Sequence, residues 1–219
     1  MLKLRYDVFG ADVLGNAKME GKYEFPMTPG IRLDGMSARI VPFDRMGELK
    51  EGEWLLFYVH DKRFCNLLAR RRHYADVLNR ADGFIGADNS IYRDLPLAEQ
   101  IHSCYVNRAI DHYLHSIGKT IVPNVSWGDW RSHEFCCDGI EPGATVAMST
   151  YGCCNSALER AYFEDGFVFA ASRLHPYSVF LHGAVWPRLK ALAAHHGVKI
   201  AKVPTWRETI AARRGTRHG

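Results

Sequence analysis

Apolar residues in this chain come in short runs, and each run gives way to a polar or glycine-rich cluster. Residues 54–60 lead into Asp61, residues 83–87 into Asp88, Asn89 and Ser90, and residues 120–125 into Ser126, Trp127 and Asp129. Residues 145–148 lead to Ser149, Thr150 and Gly152, and residues 178–181 to His182 and Gly183. A short apolar run bounded by turn formers predicts a buried strand. Between the runs lie helical stripes. Phe64, Leu67, Leu68, Tyr74, Ala75 and Leu78 recur at a spacing near 3.6, which predicts a helix over 63–80. Leu97, Ile101, Tyr105, Ala109, Tyr113 and Ile117 follow Pro96 and end at Gly118, a second helix with first-turn proline and closing glycine. Ser156 and Glu159 form a capping box that opens a third, running to about residue 173. Pro187 and Gly197 bracket a fourth.

Strands starting near 54, 83, 120, 144, 178 and 198 alternate with these helices. Connections of that length require crossovers, hence a mainly parallel sheet. Upstream, residues 38–43 form a short apolar run ending at Asp44, and residues 3–8 a candidate strand. The expected organisation is an N-terminal lead-in over 1–36, a single β/α domain over 37–206 and a basic tail over 207–219. The predicted fold class is α/β, a mainly parallel β/α repeat that is barrel-like, as a complete or partial TIM-type barrel. An open doubly wound sheet is the alternative. The barrel leads because polar groups follow nearly every strand rather than one switch point, and no glycine-rich turn follows the first strand.

Composition narrows the setting. A chain of 219 residues with 47% hydrophobic content has room for one substantial core. Charged residues at 24% argue against wholesale disorder. No apolar stretch approaches the roughly 18 residues of a membrane span, and the first ten residues lack the form of a secretion signal. A cytoplasmic protein with no membrane partner is expected. Six cysteines include two adjacent pairs but no C-x-x-C, which reads as free thiols in a reducing compartment. A zinc site built from Cys136, Cys153 and His133 is the competing reading, disfavoured by the ligand spacing, so no metal is predicted and the cofactor is left open. Net charge is +4, but Arg70, Arg71 and Arg72 cluster, and Arg207, Arg213, Arg214 and Arg217 load the tail. Such a tail can grip phosphates.

Three carboxylates follow successive strands: Asp61, Asp88 and Asp129. On a barrel they converge on one mouth, where paired carboxylates divide acid, base and nucleophile work. The competing role, helix capping, weighs most on Asp61. Substrate-binding candidates surround them. Ser90 and Tyr92 come from the polar loop 88–94, and Trp127 and Arg131 from 127–132, where indoles beside charge suit a nucleobase or sugar. Ser149 and Gly152 can meet a phosphate, Arg108 can pair with one, and His182 is a titratable group at a strand end.

Several segments together resemble a known family. They include Tyr23-Glu24-Phe25-Pro26, Val41-Pro42-Phe43, Val59-His60-Asp61-Lys62-Arg63-Phe64, and Gly83-Phe84-Ile85-Gly86-Ala87-Asp88-Asn89-Ser90 continuing to Pro96. Tyr105-Val106-Asn107-Arg108, Ile121 to Asp129, and Phe135 to Ile140 complete them. Over about residues 23–214 the chain is similar to the domain-of-unknown-function family numbered 4417, met in phages, prophages and mobile elements. Asn89, where Phe or Leu is common, and the Cys153-Cys154 pair depart from its pattern. The resemblance implies a phage or mobile-element setting and no particular activity. The expected function is a barrel-like enzyme acting on a nucleotide, nucleobase or nucleic acid through glycosidic-bond chemistry, as a hydrolase or transferase. Asp88 would be nucleophile or base and Asp129 acid or anchor, with Trp127 and Tyr92 stacking the ring and Arg108 and Arg131 meeting phosphate. The alternative is a non-catalytic nucleotide- or DNA-binding phage accessory protein.

Overall fold

The computed structural model describes residues 10–36 and 38–215, with side chains through 211. The strand expected over 3–8 and the side chains of Arg213, Arg214 and Arg217 lie outside the described residues. A small antiparallel pair, β1 (Met19–Glu20) and β2 (Phe25–Pro26), precedes the main architecture. One parallel sheet then holds β3 (Ile40–Pro42), β4 (Trp54–Leu56), β5 (Gly83–Ile85) and β6 (Thr120–Val122) in that order. A second holds β7 (Thr145–Ser149), β8 (Ser178–His182) and β9 (Lys199–Val203). Helices α1 (Arg71–Arg80), α2 (Leu97–Ser116), α3 (Ala157–Leu174), α4 (Pro187–His195) and α5 (Trp206–Gly215) follow β4, β5, β7, β8 and β9.

A parallel bridge between Asn124 and Ala147 joins the two sheets. There the Ala147 N–H donates to the Pro123 carbonyl at 2.8 Å, and the Val125 N–H donates to the Ala147 carbonyl at 2.9 Å. Strand order therefore follows chain order from β3 to β9, without the reversal of a doubly wound sheet. Among the described residues no pairing joins β3 to β9, so a closed barrel is not observed. The ends nevertheless approach each other. The guanidinium groups of Arg39 and Arg45, which flank β3, lie 5.6 and 5.7 Å from the ring of Trp206, just after β9.

Alternation along the strands sorts their side chains into three clusters. Val41, Leu55, Phe84 and Ile121 pack with Leu78, Ile110 and Leu114 of α1 and α2. Val146, Met148, Val179 and Leu181 pack with Phe167, Leu174 and Leu189 of α3 and α4. The opposite face contributes one residue from each parallel strand to a single inner cluster: Ile40, Leu56, Ile85, Val122, Ala147, Phe180 and Val203. Each large aliphatic or aromatic member contributes roughly 1.5–3 kcal/mol by leaving water. Ile31, Leu33 and Met36 pack against the same cluster. They are anchored at the amino ends of the strands: the Thr145 N–H donates to the Ile31 carbonyl at 2.7 Å, and the Ser178 hydroxyl donates to the Leu33 carbonyl at 2.6 Å. The amino ends are thus covered, and the carboxyl ends are left for a site.

The helix expected over 63–80 is α-helical only from Arg71. A short 3-10 turn, Asp61–Arg63, and further turns occupy its predicted start. Asp61 does not cap, because its carboxylate accepts hydrogen bonds from the Ser90 N–H and hydroxyl, both at 3.0 Å. Phe64, Leu67 and Leu68 are buried all the same, so helical spacing here records burial rather than a helix. The predicted capping box forms at the start of α3, with Ser156 and Glu159 bonding each other's N–H groups.

Arg108 overturns an expectation. Its side chain is only 1% exposed, in the interior rather than at a phosphate. Nε donates to the Asp138 carbonyl at 2.8 Å, Nη1 to Asn124 at 2.9 Å and Nη2 to Cys136 at 2.8 Å. One N–H on each of its three nitrogens is thus taken by a buried backbone carbonyl. Asp111, one turn along α2, lies 3.9 Å from this guanidinium, and its Oδ1 accepts the Ala87 N–H at 3.2 Å. Burial pushes the Asp111 pKa up to about 7 against the pull of Arg108.

Two predictions follow from this pair. Arg108→Ala orphans three buried carbonyls and a buried carboxyl, so urea or thermal unfolding should register a loss of about 3–5 kcal/mol; a loss below about 1 kcal/mol would refute the role. For Asp111, the folded-state pKa of about 7 lies above the unfolded value near 3.9, so the native state binds the extra proton in that window and stability falls as pH rises through it. Urea titrations of Asp111→Asn should show this fall reduced relative to the unsubstituted protein between about pH 4 and 7.

Candidate functional site

A residue two positions beyond an inward-facing strand residue lies on the same face, one layer nearer the carboxyl end. Leu56 leads in this way to Tyr58, Val122 to Asn124, Ala147 to Ser149 and Phe180 to His182. The apolar inner cluster thus passes into a polar layer. The Tyr58 hydroxyl donates to Asn124 Oδ1 at 2.7 Å, and Asn124 Nδ2 donates to Asp88 Oδ1 at 2.7 Å and to Ser126 Oγ at 3.2 Å. Ser149 Oγ lies 3.2 Å from His182 Nδ1, and the His182 ring stacks on Tyr58 with centroids 5.2 Å apart.

Above this layer two adjoining hollows open. One, of about 330 Å³, is lined by Asp88, Ser90, Tyr92, Asn124, Trp127, Ser149, Gly152 and Cys153 among others. The other, of about 280 Å³, adds Tyr58, His60 and Asp61 and shares Asp88, Ser90, Tyr92, Ser149 and Tyr151 with the first. The shared residues make them two parts of one cleft. Asp88 sits at the junction. Burial raises its pKa to about 6, the negative charge of Asp61 adds to the rise, and hydrogen bonds from Asn124 and Ser126 oppose it.

Aromatic side chains form the walls. Tyr92 is exposed and Trp127 half-buried. The Trp127 indole donates to the Tyr162 carbonyl at 3.1 Å and packs on Phe163, with centroids 5.2 Å apart. Gly166 in α3 makes room for it, since a Cβ there would meet the indole at 2.1 Å. Gly152, at φ +81°, turns the chain after β7 in a conformation that glycine adopts without strain.

Of the residues expected at the site, the structure gathers Asp61, Asp88, Ser90, Tyr92, Trp127, Ser149 and Gly152 around this cleft. Asp129 and Arg131 line neither hollow. Asp129 caps the turn Trp130–Glu134 and accepts bonds from the Arg131 N–H, Nε and Nη2 at 3.0, 3.1 and 3.0 Å. Those bonds hold the Asp129 carboxyl below its usual range, and Arg131 donates further to the Arg93 carbonyl. An acid this tightly paired has no free proton to give. Arg108 is buried as described. His182 is 3% exposed and lies beneath the cleft, where burial pushes its pKa down to about 4, so it is neutral at pH 7 rather than poised near it. The sequence reasoning missed Tyr58, Asn124, Tyr151 and Cys153. For Tyr58 and Asn124, strand alternation carried through the last residues of each apolar run would have found them.

Among the described residues, no group of three or more His, Cys, Asp or Glu is arranged for a metal ion. No helix is long and apolar enough to cross a membrane.

Comparison with known proteins adds a setting. The family described as Domain of unknown function (DUF4417) matches residues 17–193. The Gene 1 protein of Mycobacterium phage L5 is 27% identical over 148 residues, which cover 68% of this chain and 65% of that protein. The Gene 1 protein of Mycobacterium phage D29 is 28% identical over 148 residues, covering 68% of this chain and 55% of that protein. The chain thus spans less than two thirds of the length of the curated relatives it matches. No solved structure gives a significant match. With a match that runs from ahead of β1 into α4 and takes in the whole cleft, the chain belongs to the DUF4417 family, which has members in phages.

Proposed function

We propose that the chain is a cleft enzyme that cleaves or exchanges a glycosidic bond in a nucleoside, nucleotide or nucleic acid. In this reading the seven parallel strands form an incomplete barrel, open between β3 and β9. The single inner cluster and the approach of Trp206 to Arg39 and Arg45 support it. One observation carries the chemistry: Asp61 and Asp88 open on the same hollow, and Asp88 is pushed up to about 6 while Asp61 accepts two hydrogen bonds from Ser90.

Two carboxyls whose surroundings differ in this way divide their labour. Asp88, able to hold a proton near neutral pH, is the general acid for the leaving base. Asp61, fixed by two donors, is the nucleophile or the charge that stabilises the developing oxocarbenium ion. Tyr92 and Trp127 flank the ring, and Ser149 with the backbone at Gly152 meets sugar or phosphate oxygens. Phage relatives favour a nucleic-acid or nucleotide substrate over a free sugar. Asp129, Arg108 and Arg131 have no part in this mechanism.

The test is turnover on nucleosides, nucleotides and single- and double-stranded DNA. Asp88→Asn and Asp61→Asn should each lower kcat by about 10²–10⁴-fold, whereas Asp129→Asn should leave kcat near the unsubstituted value. Unchanged turnover in the first two variants would dispose of the proposal. A second prediction concerns pH. An acid must be protonated to act, so the rate should fall as pH rises through about 6. Asn124→Ala removes a donor that favours the charged form of Asp88, and should move both that fall and the carboxyl ¹³C titration of Asp88 to higher pH. A titration that stays in place or moves down contradicts the hydrogen-bond assignment.

A further inference from the structure

The six cysteines are unequal in access and in company. Cys65 is exposed and Cys104 buried, and neither has a cysteine beside it in the chain. Cys136 and Cys137 have sulfurs 3.9 Å apart, but both are buried in the core packed against α3. Cys153 and Cys154 have sulfurs 3.8 Å apart, and here Cys153 is exposed and lines the larger hollow.

We propose that Cys153 and Cys154 form a dithiol capture site, opening on the cleft, for monosubstituted trivalent arsenicals and electrophiles of that class. The chemistry follows from ligand count. No third His, Cys, Asp or Glu stands by among the described residues to complete a closed metal shell. Tetrahedral zinc is therefore poorly served. An arsenical that already carries one organic group needs two sulfurs and no more. The atoms balance without oxidant or reductant: R–As=O and two thiols give R–As(S)₂ and one water, with both thiol protons leaving on the oxide oxygen. Each sulfur has a part. Cys153, exposed and with its S–H directed at the Ser149 carbonyl 3.3 Å away, is the first attacker, and the contact with the Cys153 sulfur, helped by burial, keeps Cys154 a thiol until the ring closes.

The surroundings select the organic group. Trp127, Phe163 and Tyr151 line the hollow beside Cys153, so an aryl substituent has apolar faces to enter. Its entry fills the space over Asp88 and couples thiol state to access to the cleft. The Cys136–Cys137 pair, equally close but sealed, is the internal control.

The experiment uses the full reduced chain and phenylarsine oxide. One equivalent should bind, seen as a single phenylarsenic adduct by intact mass and as a change in Trp127 fluorescence, with peptide mapping to 153–154. An excess of ethanedithiol should remove it, and a monothiol should not. Cys153→Ser, a substitution at an exposed position, should weaken capture about a hundredfold by removing one arm of the chelate. No adduct on the unsubstituted protein, undiminished capture by Cys153→Ser, or mapping to Cys136 and Cys137 would each overturn the proposal. None of these outcomes depends on catalytic activity, so they stand apart from the glycosidic-bond reading.

Discussion

The guanidinium of Arg108 holds together parts of the chain that no strand pairing connects. Its three acceptors are the carbonyl of Asn124, beyond the end of β6, and those of Cys136 and Asp138 in the irregular segment that follows. A planar fork with several N–H donors can serve three carbonyls in different directions at once, which an ammonium on a flexible stem does poorly. Burying that cation is costly, and the three carbonyls, each of which would otherwise lack a partner, offset the cost. Asp111 compensates only in part. It stands at 3.9 Å, and its Oδ2 has no hydrogen-bond partner, in keeping with a carboxyl that burial shifts toward the neutral form.

The same contact reaches the cleft. Asn124 gives its backbone carbonyl to Arg108 and its side-chain amide to Asp88 and Tyr58. With the backbone fixed from one side and Oδ1 fixed by the Tyr58 hydroxyl, the amide has one orientation that presents Nδ2 to Asp88. His182, neutral and stacked on Tyr58, presses on the far side of that phenol. A charge set deep in the core and an acid at the mouth are therefore linked through one residue, Asn124, and packing as well as charge sets the environment of the acid.

Much of this was legible in the sequence, and the misses have definite causes. Strand starts at 54, 83, 120 and 178 coincide with the predicted ones, and those at 145 and 199 differ by one residue, because hydrophobic runs bounded by turns leave few alternatives. The capping box was readable because both its partners are local. Arg108 was not, since its three partners lie 16 to 30 positions away and an arginine beside a helical stripe looks the same whether it faces water or carbonyls. Asp129 failed for the opposite reason: its partner is two residues along the chain, and a local ion pair prevailed over convergence with distant carboxylates. Asp61 and Asp88 were reachable because each ends an apolar run and stands in the connection just beyond the carboxyl end of a strand, β4 or β5.

What distinguishes those two acids is how the chain ties them to each other. Ser90 lies two residues beyond Asp88, and both its backbone N–H and its hydroxyl reach back to Asp61. The loop after β5 is thereby stapled to the turn after β4, and the Ser90 backbone N–H together with its hydroxyl fixes the Asp61 carboxylate relative to that loop. Asp61 takes up two donors in the bargain, whereas Asp88 is left with an amide, a hydroxyl and the repulsion of its neighbour. Burial is the main reason that Asp88 is raised into the neutral range, and the contact that holds both carboxyls in place adds the repulsion of Asp61 to it. A pair assembled from mobile loops would lack that added repulsion, because relaxation of either loop would separate the charges.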